Sequence, residues 1–129
     1  GYINSVRLGL TSLNTNASIV LVSGFPARKC LPGASAISTV GNAIEGFVRA
    51  IAPEISPRRI NAVSPGIIDT PLFPQEGVAR EEFLQQTTEA HPIPRPGTSA
   101  EVAQAVLFLL KNDFTTGTVV DVDGGATLP

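Results

Sequence analysis

The chain has 129 residues, the size of one domain, of which 43% are hydrophobic and 16% charged. Its net charge is −2 and its nine lysines and arginines are scattered, so no basic stripe indicates a nucleic-acid partner. No apolar run approaches the roughly 20 residues that span a bilayer, and a single cysteine fits a reducing compartment; we therefore expect a soluble, cytoplasmic protein.

The first predicted element is a helix over Tyr2 to Leu13, in which apolar residues recur at steps of three and four. No capping residue precedes it, which predicts that the sequence begins in the middle of a domain. The run SIVLVSG follows, and its β-branched residues are typical of a strand buried on both faces of a parallel sheet. The next segment predicts a helix from Ala34 to about Ile55, with an apolar side made of Ile37, Ile44, Val48, Ile51 and Ile55.

The segment RINAVSPG is a second predicted strand that ends in a Pro-Gly turn. Residues 67–97 are rich in proline and glycine, and we predict a mobile flap with a short helix from Ala79 to Glu89. Thr98 to Glu101 form a capping-box pattern, which predicts a sharp start for the last helix. With TGTVVDVDGG as a third strand, the alternation predicts one α/β domain over residues 1–129, with three parallel strands and flanking helices.

Five segments resemble, in order and spacing, the C-terminal half of the short-chain dehydrogenase/reductase family: SIVLVSG, GASAISTVGNAIEGFVRA, RINAVSPGIIDTPLF, IPRPGTSAEVAQAVLFLL and TGTVVDVDGG. The resemblance implies a Rossmann-like sheet and a NAD(P)-dependent oxidoreductase that acts on a carbonyl or an alcohol. It also implies a homo-oligomer, a dimer or tetramer, formed through the helices on either side of SIVLVSG. That strand lacks its family neighbour, so we expect it to pair with residues outside this sequence or with another chain.

The family transfers protons with a serine, a tyrosine and a lysine, and the resemblance places Gly24, Ile37 and Gly41 at those positions. In relatives the lysine's charge lowers the pKa of the phenol toward the range that acid-base catalysis needs. None of the three replacements can transfer a proton, so we expect no catalytic residue at these positions. Ser23 and Ser38 are the alternatives; we interpret both as serines bonded to nearby backbone, and expect Ser23 to turn away from the pocket.

In the family a Pro-Gly-x-x-x-Thr turn lines the nicotinamide pocket, and this sequence keeps it as Pro65, Gly66 and Thr70. The resemblance places Ile67 to offer its backbone to the carboxamide. The other interpretation is that Pro65-Gly66 ends a strand and Thr70 caps the next turn. The family's glycine-rich turn for the cofactor pyrophosphate has no counterpart here, so NAD or NADP should bind this chain weakly or not at all.

Other candidate residues indicate no further chemistry. His91 lies in the Pro-rich flap, and we interpret it as a solvated loop residue, with a place above a substrate cleft as the alternative. Asp69 and the acidic residues in Asp121 to Asp123 are interpreted as turn-forming, so no metal site is predicted. Cys30 follows an arginine and a lysine, which lower a thiol pKa, but no base accompanies it and we predict no catalytic role.

Three hypotheses for function remain. The chain is part of a NAD(P)-dependent oxidoreductase for a small molecule, whose cofactor turn lies elsewhere in a longer protein. Alternatively, it is a non-catalytic scaffold kept for its oligomer interface. The apolar stripes on its helices, together with the absence of the acid-base residues, favour this interpretation. The third is a fragment of a longer enzyme without a function of its own. The intact mass of the gene product separates them.

Overall fold

A computed structural model describes residues 1–29 and 31–129 of the protein. The helices and strands in chain order are α1 (Tyr2–Gly9), β1 (Ser18–Val22), α2 (Ser35–Ile51), β2 (Arg59–Pro65), α3 (Gly77–Thr88), α4 (Ser99–Lys111) and β3 (Val119–Val122). Short 3-10 helices follow α1, at Leu10–Ser12, and β1, at Phe25–Ala27. Within the described ranges, every helix falls short of the length and apolarity that a membrane span requires.

The three strands form one parallel sheet in the order β1-β2-β3, as the alternation of elements predicts. Leu21, Ala62 and Val119 lie in register across it. β2 is the central strand and is buried from Arg59 through Ser64, since both of its faces are covered. β1 is an edge strand of this sheet. The prediction of an α/β fold with three parallel strands is therefore confirmed.

Two layers of helices cover the sheet, because successive strand residues point to opposite faces. Ile60 of β2 lies in a buried apolar cluster with Val6 of α1 and Val48 of α2. The neighbouring residue, Arg59, points the other way and donates a 2.8 Å hydrogen bond to the Leu109 carbonyl of α4. Helices α1 and α2 therefore pack on one face of the sheet and α4 on the other.

The ends of α1, α2 and α3 differ from the predicted ones by a few residues. The first helix is α-helical only to Gly9 and continues as a 3-10 helix, so it stops short of the predicted end at Leu13. α2 ends at Ile51 and not at about Ile55, because Pro53 has no N–H to extend the helical hydrogen bonds. α3 begins and ends slightly earlier than predicted.

The prediction that Ile37 lies on the buried side of α2 is wrong, since this residue is 58% exposed. The buried residues of α2 are Gly41, Glu45 and Val48. Gly41 comes one turn after Ile37, at the point where the 3-10 helix Phe25–Ala27 packs against α2. Ile37 lies one turn earlier, in the first turn of α2, and is exposed there.

α4 begins at the predicted capping box. The Thr98 hydroxyl accepts the Glu101 N–H at 3.2 Å, and the Glu101 carboxylate accepts the Thr98 N–H at 2.8 Å. Hydrogen bonds from Arg95 and then from Thr98 lower the pKa of Glu101 from 4.5 to about 2. Because the pKa of Glu101 is lower in the folded than in the unfolded chain, its ionised carboxylate contributes its full stabilisation at pH values above the unfolded pKa. This contribution is lost as the pH falls from 4.5 through about 2.

Candidate functional site

The candidate site lies at the carboxyl ends of β1 and β2, because ligands of open parallel sheets bind outside this edge. Gly24 follows β1 and Pro65 ends β2. A Cβ built on Gly24 would lie 4.0 Å from the Pro65 carbonyl oxygen. The structure therefore brings one predicted catalytic position next to the first residue of the predicted nicotinamide turn.

The three positions that the resemblance predicts for the family's proton-transfer set carry no polar side chain, and they differ in how much space surrounds them. Gly24 has an extended backbone, and a Cβ there would meet its nearest atoms at ordinary distances of 3.5 and 4.0 Å. Ile37 is exposed. Gly41 is buried, and a Cβ there would lie only 2.9 Å from the Cβ of Ala27. A Cβ is therefore accommodated at position 24, whereas at position 41 it would require a neighbouring segment to shift.

The segment that fills the space beside Gly41 is the turn from Phe25 to Lys29, hereafter the 25–29 turn. Asn42 of α2 donates a 2.7 Å hydrogen bond from Nδ2 to the Ala27 carbonyl. Lys29 donates from Nζ to the Ala126 carbonyl at 2.8 Å, beyond the end of β3. The turn is thus tied both to the helix beneath it and to the C-terminal segment.

Arg28 joins two carboxylates that are far apart in the sequence. Its Nη2 lies 3.1 Å from Oε2 of Glu45 on α2, and its Nη1 contacts Oδ2 of Asp121 on β3. Glu45 is only 3% exposed, and Ser23 Oγ donates a 3.1 Å hydrogen bond to its other oxygen. Burial of Arg28 opposes its charge, but the Glu45 hydrogen bond and the nearby charges of Asp121 and Glu45 raise its pKa above the ordinary value. Arg28 is therefore a permanent cation with two acidic partners.

Both alternative serines are placed by the structure. The Ser23 hydroxyl points toward α2, where it bonds Glu45 and approaches the Gly41 carbonyl at 3.4 Å. Ser64 of β2 follows Val63, which pairs with Val22 in the register of the two strands. The buried Ser64 hydroxyl has no hydrogen-bond partner among the described residues. Ser38 is half-buried, and its carbonyl accepts a hydrogen bond from Asn42 at 3.0 Å.

Gly66 is required by packing between the ends of β2 and β3. A Cβ on Gly66 would lie 2.6 Å from the Cα of Asp123 and 3.0 Å from its carbonyl oxygen. The Asp123 carboxylate holds the turn after β3 by accepting N–H groups from Gly125 and Thr127 and the Thr127 hydroxyl. Burial works against the charge of Asp123, but these hydrogen bonds prevail and lower its pKa. This geometry accounts for the glycine at position 66 on structural grounds.

The rest of the predicted nicotinamide turn is held by its carbonyl groups. The Ile67 carbonyl accepts the Gly97 N–H at 2.8 Å, whereas the Ile67 N–H donates to no acceptor in the part of the chain that the structure describes. The Thr70 carbonyl accepts from Arg80 of α3 at 2.8 Å. In this turn the backbone N–H groups of Ile67, Ile68 and Thr70 have no acceptor among the described residues, and the family resemblance assigns that of Ile67 to the carboxamide.

Arg80 fixes the first part of the 67–97 segment, which the sequence predicts as a mobile flap. It pairs with Asp69 and donates to the Phe73 carbonyl at 2.7 Å. The Phe73 ring lies 5.4 Å from the ring of Phe83 on α3. Residues 69–73 are thus anchored to α3 by an ion pair, carbonyl contacts and an aromatic pair.

The remaining candidates take structural positions. Asp69, Asp121 and Asp123 each bind other protein groups, and no group of three ligating side chains lies together within the described residues. His91 is half-buried and donates its backbone N–H to the Thr88 carbonyl. Cys30 lies outside the residues that the structure describes.

The sequence interpretation missed Glu45 and the contact it makes with Arg28. A signal for Glu45 exists, because it lies four residues after Gly41 and three before Val48, on the buried side of α2. A buried carboxylate needs a cation or hydrogen-bond donors. The sequence alone does not indicate which of the nine cations supplies them.

A second feature is an apolar groove of about 580 Å³ between α1 and α2, hereafter the α1–α2 groove. Its lining residues are Gly1, Tyr2, Ile3, Asn4, Val40, Ala43, Ile44 and Phe47. Ile3 and Val40 are 55% and 58% exposed. Contiguous apolar surface of this kind is typical of protein contacts.

Residues 1–127 match the family model described as enoyl-(acyl carrier protein) reductase. The chain is 34% identical over 112 residues to the short-chain dehydrogenase/reductase ATR9 of Stachybotrys chlorohalonatus, covering 87% of this chain and 44% of that protein. It is 37% identical over 113 residues to the human 3-oxoacyl-[acyl-carrier-protein] reductase, covering 86% and 45%. A crystal structure of a small-chain dehydrogenase in complex with NADPH superposes with a TM-score of 0.91 at 34% identity, covering 98% of this chain and 58% of that one.

The chain spans about half the length of the curated relatives it matches. The matched solved structures share its Rossmann-type sheet and extend beyond it. The activities that the names of these relatives state therefore belong to proteins about twice as long as this chain.

Proposed function

Because the chain belongs to the short-chain dehydrogenase/reductase family, we propose that it is the nicotinamide-facing, C-terminal half of a NAD(P)-dependent oxidoreductase fold without the family's proton-transfer set. The observation that supports this proposal most strongly is the absence of polar side chains at Gly24, Ile37 and Gly41. The 129 residues alone are then inactive in carbonyl chemistry. The substrate of a longer protein would be a small molecule with a carbonyl or alcohol group.

The residues of the Pro65 to Thr70 turn fit a nicotinamide only in part. The Ile67 N–H has no acceptor among the described residues, and it lies just after the carboxyl end of β2. Gly66 contacts Asp123, so its small size serves packing and not ligand approach. When bound, a nicotinamide supplies or accepts the hydride; the chain's own contribution would be to orient the carboxamide through Ile67.

A titration tests this assignment. We expect NADH and NADPH to bind with millimolar dissociation constants or weaker, an energy of about 4 kcal/mol or less, because the family's phosphate-binding turn has no counterpart here. If only the nicotinamide is contacted, reduced nicotinamide mononucleotide should bind as tightly as NADH in calorimetry, and ADP-ribose should not bind. A micromolar constant for NADH, or binding of ADP-ribose, would show that this half holds the rest of the cofactor.

The α1–α2 groove favours a second role, as an oligomerisation unit. The family resemblance implies a four-helix contact between two copies, and both helices present apolar residues at this groove. Such a contact is isologous, so the same surface is buried on both protomers. A homodimer or tetramer is therefore proposed. We place it in the cytoplasm, because a single cysteine fits a reducing compartment.

Substitution in the groove should abolish association. Val40→Asp places a carboxylate in an apolar contact, close to the same carboxylate of the second copy. We expect the mass from light scattering to fall from that of an oligomer, a multiple of 13.4 kDa, to the 13.4 kDa of the monomer. Leu72→Asp is the matched control, because Leu72 is 80% exposed and lies outside the groove. A monomeric unsubstituted chain at high micromolar concentration, or equal masses for both variants, would contradict the proposal.

A further inference from the structure

The two glycines of α2 near the site differ in what surrounds them. A Cβ on Gly46 would meet no atom within 4 Å, whereas a Cβ on Gly41 would lie 2.9 Å from the Cβ of Ala27 and 3.5 Å from its Cα. Real Cβ atoms do not approach as closely as 2.9 Å, and the Cβ of Ala27 can move away only together with its backbone. Any other side chain at position 41 therefore requires the 25–29 turn to move.

The contacts of the turn oppose such a movement. Arg28 reaches the buried Glu45 on α2 and Asp121 on β3, and these two elements lie in different parts of the chain. The Glu45 carboxylate is itself fixed by Ser23. Releasing Arg28 would leave a carboxylate that is 3% exposed without its closest cation, which is costly in a protein interior.

We propose that the 25–29 turn is a built-in plug, latched by Arg28, which fills the space beside position 41 and excludes any side chain from it. The steric contact stands on the geometry alone. That this space is the one taken by the family's lysine side chain rests on the proposed function. The site is then closed by the fold and not merely stripped of its reactive groups.

A thermodynamic cycle in urea unfolding tests the plug. Glycine is a poor helix former, so Gly46→Ala should raise the folding equilibrium constant about fivefold. Gly41→Ala should lower it, because the new methyl group displaces Ala27. In an Ala27→Gly background, Gly41→Ala should recover most of the gain seen at Gly46. Equal gains at positions 41 and 46, or an effect of Gly41→Ala that does not depend on residue 27, would overturn the proposal.

Hydrogen exchange tests the latch without relying on a crowded variant. Arg28→Gln should accelerate exchange of the amides of residues 27–29 by at least tenfold relative to the unsubstituted chain. Arg49→Gln is the control, because Arg49 lies 3.8 Å from the same Glu45 carboxylate but outside the turn. Equal exchange in the two variants would show that Arg28 is not the latch. Both measurements are independent of the nicotinamide titration, so either proposal can fail without the other.

Discussion

Replacing Gly66 with alanine should destabilise the chain by about 3 kcal/mol, the upper end of what overpacking costs. The added Cβ would lie 2.6 Å from the Cα of Asp123 and 3.0 Å from its carbonyl oxygen. These are backbone atoms, and the Asp123 carboxylate fixes them further through its hydrogen bonds to Gly125 and Thr127. The expected measurement is a large fall in the urea midpoint without a change in slope.

Gly24→Ala is the matched control for Gly66→Ala. Gly24 follows the neighbouring strand, its φ of 178° is open to any residue, and an added Cβ would make only ordinary contacts. This variant should unfold close to the midpoint of the unsubstituted chain. Equal midpoints for the two variants would mean that the backbone at Asp123 moves aside for a methyl group at little cost. The structural explanation of Gly66 would then be wrong.

The sequence predicts the framework of this fold well, because local patterns determine it. The apolar run before Gly24 and the alternation of helices and strands suffice for three parallel strands, and the Thr98 and Glu101 spacing suffices for the capping box. The apolar run and the capping box each lie within about ten residues, and the alternation is a series of such local patterns. Helix ends are less well predicted, because they depend on single residues such as Pro53.

The contacts of the candidate site could not be predicted in the same way. Arg28, Glu45 and Asp121 meet only after the sheet and α2 have assembled, and their spacing in the sequence has no period. The exposure of Ile37 likewise appears only in the structure, because its place in the sequence fits the apolar pattern of α2. The sequence shows that position 41 carries no side chain, but only the structure shows that Ala27 fills the space beside it.

The chain alone should not oxidise NADH or NADPH with ketones above the uncatalysed background. Acid-base catalysis typically contributes about a hundred- to ten-thousandfold, and Gly24, Ile37 and Gly41 offer no proton donor. The test uses millimolar cofactor, to offset weak binding, and follows the alcohol product by NMR. Turnover that is lost in Ser23→Ala, Ser38→Ala or His91→Ala would identify a proton donor that the proposed function excludes.

Restoring the family residues is the stricter form of the same prediction. Gly24→Ser adds a Cβ at ordinary distances and Ile37→Tyr changes an exposed side chain, but Gly41→Lys meets the Ala27 Cβ and should lower stability without giving activity. Adding Ala27→Gly should relieve the steric conflict and restore stability, while turnover stays at background because the chain still lacks a phosphate-binding turn. Turnover by the fourfold variant of these 129 residues would show that the nicotinamide turn and a proton donor suffice. Turnover by the threefold variant with Ala27 in place would show in addition that the 25–29 turn does not close the site.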